Sequence, residues 1–144
     1  MSGYATAEQV TPVATMAKNH KSLALFGFRF ERGGAHSSRT MMLDELAALL
    51  GYVDREDASK GDYLQAVEED NCLAKRSGKT RRLTYRHLAE LYSLDTAHIL
   101  FRALRHFWKR DEAGRPLLAM LCAYARDSIF RSTAPFILKC PEGT

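Results

Sequence analysis

Leu46, Leu49 and Leu50 follow Met42 and Leu43 at three- and four-residue intervals, the period of one helix face. They predict a helix from a Ser37 or Ser38 cap to about Leu50, with Gly51 as its stop. The same period returns in Tyr63, Leu64, Ala66 and Val67, which predict the buried side of a short acidic helix ending near Asp70. It returns again in Leu83, Leu88, Leu91 and Tyr92, behind Ser77 as N-cap, and in Ile99, Leu100, Ala103, Leu104, Phe107 and Trp108, on a helix from about Thr96 to Arg110. Pro116 suits the first position of the next helix, Leu117 to about Arg126, which is apolar nearly all round and so predicts a central helix surrounded by others. Asp127 or Ser128 caps a last helix carrying Ile129, Phe130, Phe136, Ile137 and Leu138, which Pro135 should kink or split.

Upstream the pattern changes. Phe26, Phe28 and Phe30 alternate, predicting an extended strand or strap over Leu23–Phe30 that Gly33-Gly34 ends. Met1 to about Ser22 is small, polar and aperiodic, with Pro12 interrupting, and reads as a flexible N-terminal arm whose Lys18, His20 and Lys21 could touch a polyanion. The fold expected is all-α: a compact bundle of about six helices over residues 23–144, with an extended N-terminal segment. The apolar last helix with nothing after it is also what one domain of a longer chain would show.

Composition sharpens this in few places. A chain of 144 residues that is 46% hydrophobic can bury one core but not two. Its longest apolar stretch, Pro116–Ala125, is about half of a membrane-spanning helix, and no secretory leader opens it, so no membrane partner is expected. Cys72, Cys122 and Cys140 are odd in number and far apart, which argues against a disulfide framework or zinc site and fits a reducing cytoplasm.

Charge changes the picture more. The net charge is only +4, but the acids and bases are segregated. Between Asp70 and Glu90 there is no acid, while Lys75, Arg76, Lys79, Arg81, Arg82 and Arg86 all lie there. At about 100° per residue, Lys79, Arg82 and Arg86 fall within about 60° of one another, opposite the leucine stripe. Arg102, Arg105, His106 and Lys109 form a second such stripe within about 100°. Cations so spaced match the phosphates of a nucleic-acid backbone, each contact releasing condensed counterions, although a merely solvated charged face reads the same way. In the DNA-binding reading Lys79, Arg82 and Arg86 face the groove or its rim. Arg81 and the Ser77 cap with its free N–H groups anchor a phosphate at the helix N-terminus, Lys75 and Arg76 are further DNA-binding candidates, and Arg102, Arg105 and Lys109 extend the footprint. An acidic helix, a turn holding Leu73 and a basic helix also follow the general plan of a helix-turn-helix.

No catalytic constellation emerges. Phosphate-cradling glycine motifs are absent, and the five histidines stand apart from one another and from any cysteine pair, so no metal or cofactor is expected. Glu68, Glu69 and Asp70 lack the spacing of a metal-dependent nuclease, and His36, Ser37 and Ser38 are better explained as helix-start residues than as a hydrolase site. His87, at the edge of its apolar face, reads as a hydrogen-bonded core histidine, and Trp108 as core.

Three strings carry a family resemblance: Arg39-Thr-Met-Met-Leu-Asp-Glu-Leu, Glu69-Asp-Asn-Cys-Leu-Ala-Lys-Arg-Ser-Gly-Lys-Thr-Arg-Arg-Leu, and Pro116-Leu-Leu-Ala-Met-Leu-Cys-Ala-Tyr-Ala-Arg-Asp-Ser-Ile-Phe-Arg. In this order, over about Arg39 to Leu138, the chain resembles the BrxA family of bacteriophage exclusion (BREX) systems. The resemblance implies a small all-helical cytoplasmic protein that binds double-stranded DNA as part of a multi-protein phage-defence system; that it is not an enzyme is expected from the missing catalytic constellation. The positions it carries over are Lys75, Arg76, Ser77, Lys79, Arg81 and Arg82. Two other readings share the charge pattern: a protein-interaction adaptor, in which the basic stripes meet an acidic partner and the Phe26, Phe28, Phe30 strap docks elsewhere, and an RNA-binding helical bundle. The latter lacks exposed aromatic candidates for stacking bases.

Overall fold

The computed structural model describes residues 12–31 and 41–143. Within them the chain is all-α, with seven helices and no strand: α1 (Pro12–Phe26), α2 (Leu43–Tyr52), α3 (Lys60–Glu68), α4 (Gly78–Tyr92), α5 (Ile99–Arg110), α6 (Arg115–Arg126) and α7 (Ser128–Ile137).

Short polar side chains start several of these helices by satisfying first-turn N–H groups that have no helical partner. Ser77 Oγ accepts from the Thr80 N–H at 3.2 Å, and an Asp127 carboxylate oxygen accepts from the Phe130 N–H at 2.9 Å. Ser59 and Asp62 form a reciprocal capping box on α3. The expected cap of α2 differs. That helix starts at Leu43, behind Met42 in a left-handed conformation (φ 49°) with no side-chain cap; Ser37 and Ser38 lie outside the described residues. Met42 is buried, so an apolar anchor fixes this end in place of a hydroxyl. Nor does Gly51 stop α2, which continues to Tyr52.

The N-terminal expectation also needs correction. Residues from Pro12 onward, read as an aperiodic arm and then a strap, are helical to Phe26; Met1–Thr11 lie outside the described residues. Gly27, at φ +118°, ends α1, and the N–H groups of Gly27 and Phe28 both turn back to the Leu23 carbonyl. Phe28–Phe30 alone of the expected strap lies outside a helix or turn, and it has no regular secondary structure. Arg126 Nη1 donates to the Gly27 carbonyl at 2.9 Å, and Arg131 Nη2 to the Arg29 carbonyl at 2.8 Å. The Arg29 N–H donates to the Ala125 carbonyl at 3.0 Å. The Arg131 guanidinium stands 5.6 Å from the Phe28 ring centroid and 5.1 Å from that of Phe30, a cation–π clamp over the strap. At Gly27 a Cβ would meet Leu100 Cβ at 3.2 Å in a backbone region that L-residues avoid. Gly27→Ala is therefore expected to cost roughly 1–3 kcal/mol, read as a lower urea midpoint; an unchanged midpoint would show that the turn can relax.

The core joins α2, α3, α4 and α5 through Leu46, Leu49, Leu50, Tyr63, Val67, Leu88, Leu91, Tyr92, Phe101 and Leu104. Tyr63 meets Phe101 edge-on, with ring centroids 5.3 Å apart. α6 packs against α4, α5 and α7 and is central in that sense. It does so through the small Ala119, Cys122 and Ala123, and the expectation of apolar burial all round fails: Leu117, Met120, Leu121 and Tyr124 are exposed. Burial pushes the Cys122 thiol up to about 12, leaving it a neutral core group. α7 is not split by Pro135, which sits in its last turn.

Candidate nucleic-acid interface

The link from α3 to α4 runs from Glu69 to Ser77, longer than the roughly three- or four-residue turn of a helix-turn-helix. Asn71 and Ala74 take left-handed conformations (φ 50° and 51°), and Asn71 Oδ1 accepts from the Lys75 N–H at 2.8 Å, fixing the approach to Ser77.

α4 has two distinct faces. Thr84, Leu88, Leu91 and Tyr92 are buried, and the Thr84 hydroxyl donates to the Thr80 carbonyl at 2.8 Å, which lets a polar residue sit in the core. Leu83, expected on that buried face, is only half-buried; it lines a groove of about 340 Å³ with Lys79, Arg82 and Arg86. Those three cations and Arg76 are exposed, and among the described residues none of the four makes an ion pair. The first turn of α4 holds no acid, so its partial positive end adds to the same field.

Two other cations of this segment work inside the protein. Lys75 Nζ lies 3.5 Å from a Glu45 carboxylate oxygen on α2. Arg81 is half-buried, its Nη1 donating to the Glu68 carbonyl at 3.3 Å and so satisfying the end of α3. Ser77 is spent on its cap. His87 is half-buried beside Glu90, its Nδ1 3.7 Å from a Glu90 carboxylate oxygen.

The second basic stripe does not survive as a surface. Arg105, expected to extend the footprint, is 1% exposed. Its Nη1 donates to the Leu50 carbonyl at 3.1 Å, and its Nη2 to the Val53 and Arg55 carbonyls at 2.7 and 3.0 Å. It thereby closes the C-terminal end of α2 and holds the loop after it. The cause is a rotation of α5: Phe101, Leu104, Arg105 and Trp108 face inward, whereas Ile99 and Phe107, expected in the core, are exposed. Lys109 is also corrected: it pairs with Asp54 at 2.6 Å and donates to the Asp54 carbonyl at 2.8 Å. That ammonium holds the Asp54 carboxyl below its ordinary range, as Arg110 does for Glu56. His106 faces Glu56 at 3.4 Å. Only Arg102 of the predicted stripe is exposed with no ion pair among the described residues, beside Glu56, Ile99 and Phe107. Asp54 and Glu56 are thus the residues that sequence reasoning missed. They lie in a visibly charged loop, but nothing local shows that it folds back onto α5.

With Arg105 buried and Lys109 paired with Asp54, α5 offers no basic stripe to add to that of α4. Among the described residues no group of His, Cys, Asp and Glu is placed to hold a metal ion, and no helix is long and apolar enough to cross a membrane. No family model, curated protein or solved structure matches this chain.

Proposed function

We propose that this chain is a non-enzymatic double-stranded DNA-binding module that grips phosphates with the exposed face of α4. The observation that carries the reading is the set of four exposed cations, Arg76, Lys79, Arg82 and Arg86, on one short stretch of chain with no ion pair among the described residues. Solvated surface cations commonly find carboxylates nearby, as Lys109 and Arg110 do here. Four that find none gain most from a polyanion, which releases its counterions on contact. The contacts are with the backbone, which positions a protein without reading bases. Arg102 lies apart as an accessory contact.

The phage-defence (BREX) role rests on the resemblance to the BrxA family in the three strings alone. In the adaptor reading the same exposed cations of α4 meet an acidic protein, and the strap offers a second contact only through its exposed side chains, since Arg126 and Arg131 hold its backbone.

The test is a fluorescence-anisotropy titration of two unrelated labelled duplexes at low and near-physiological salt. The expected result is similar affinity for both, with log K falling against log salt at a slope of about −3 to −4, the value for four phosphate contacts. Absence of binding at low salt would overturn the reading.

A further inference from the structure

We propose that the outward stripe of α6, continued onto α7, is the contact surface of a homodimer with two-fold symmetry. Leu117, Met120, Leu121 and Tyr124 span an arc of about 100° on α6 and are all exposed, while the small Ala119, Cys122 and Ala123 point into the protein. This inverts the ordinary order, in which a surface helix turns its large apolar residues inward. The small inward residues let α6 lie close to its neighbours; the large outward ones are left uncovered by the described residues. Tyr124 meets Phe130 of α7 edge-on, at 6.3 Å between centroids, and beyond it Ile129, Phe136 and Ile137 are also exposed, Phe136 at 74%.

Two features choose a second copy as the occupant. The first is area. With Leu138, 85% exposed, these side chains offer on the order of 900 Å² per copy, against about 800 Å² per partner in a stable interface and a few hundred in the patches monomers ordinarily tolerate. The second is charge. Near a two-fold axis every residue meets its own counterpart, so any charge there faces a like charge. From Pro116 to Ala125 the chain has no charged residue of either sign, the one composition that can lie on such an axis without repulsion. A different partner sets no such condition. Spacings of three and four residues also allow two antiparallel copies of α6 to interdigitate as bundle helices do. α6 meets α4 through its buried small residues, and the basic groove on α4 is lined by none of the stripe's residues.

Sedimentation equilibrium of the full chain between micromolar and a few hundred micromolar tests this without reference to DNA. The expected mass is roughly twice 16.2 kDa, returning to 16.2 kDa in the double variant Leu117→Glu, Leu121→Glu with an unchanged helical circular-dichroism spectrum. Both positions are exposed, so the substitutions leave the core intact. A parent that stays at 16.2 kDa throughout overturns the proposal. So does a dimer that persists in the double variant, which would place the contact elsewhere, or a series of larger species, which would mean an open, non-two-fold contact. If a monomeric parent binds an apolar dye that the double variant does not, the proposal falls and the stripe is assigned to another partner.

Discussion

Arg105→Met is expected to lower the stability of the fold by about 3–4 kcal/mol, a large share of the roughly 5–15 kcal/mol by which domains of this size are stable. Methionine nearly fills the volume and spares the fold a buried charge, which taken alone would be neutral or favourable. The partners, however, are three backbone carbonyls, of Leu50, Val53 and Arg55, and no substitution removes them. An acceptor left without a donor in the interior costs about 1–3 kcal/mol, and the three cannot all recover water while α5 covers them. Lysine should restore little, because one ammonium lacks the planar fork that reaches both the helix end and the loop. Urea unfolding followed by circular dichroism reads the loss. Below the melting transition, Arg105→Met should bind a duplex as the parent does, within about two-fold. An unchanged urea midpoint would reject the structural role, and a selective loss of binding would restore the side chain to the interface.

Reversing charge on α4 should have the opposite signature. Lys79→Glu, Arg82→Glu and Arg86→Glu together are expected to weaken duplex binding by at least about a hundred-fold near 0.1 M salt, and to flatten the salt slope by about three units. Stability should hardly move, since the three side chains are exposed and make no ion pair among the described residues. Arg82→Ala and Arg86→Ala should each remove about one unit of slope and weaken unrelated duplexes alike, as phosphate contacts do. A double alanine variant with the parent's affinity and slope would take α4 out of the interface. The two experiments separate arginines that look equivalent in sequence: one changes stability alone, the others binding alone.

That equivalence marks how far the sequence could be read. Helical period located α2 to α7 and gave the Ser77 and Asp127 caps, because hydrophobic spacing and capping are local physics. Helix rotation was legible only where the pattern had a single solution. On α4 the basic and apolar faces lie opposite each other, and the structure keeps them so, with Leu83 rolled to the rim. On α5 two arcs compete. Ile99, Ala103 and Phe107 suggest one, while Phe101, Leu104 and Trp108 define the one that packs, and Arg105 is carried inside because its donors match carbonyls some fifty residues earlier. No local rule supplies that match. The same holds for α1, which packs on α5, far downstream in the chain, and for the acids that neutralise Lys109 and Arg110.

The strap after α1 also sets a schedule. Its carbonyl at Gly27 is held by Arg126, 99 residues later, and that of Arg29 by Arg131, 102 residues later. At roughly 5–20 residues per second a ribosome takes about 5–20 s to supply those arginines. For that interval Phe28 and Phe30 have no clamp, and α1, at 15 residues, is near the length at which a lone helix in water is marginal. The end of α1 is thus made about a hundred residues before the side chains that clamp it, and its full set of contacts closes only after Arg131 emerges.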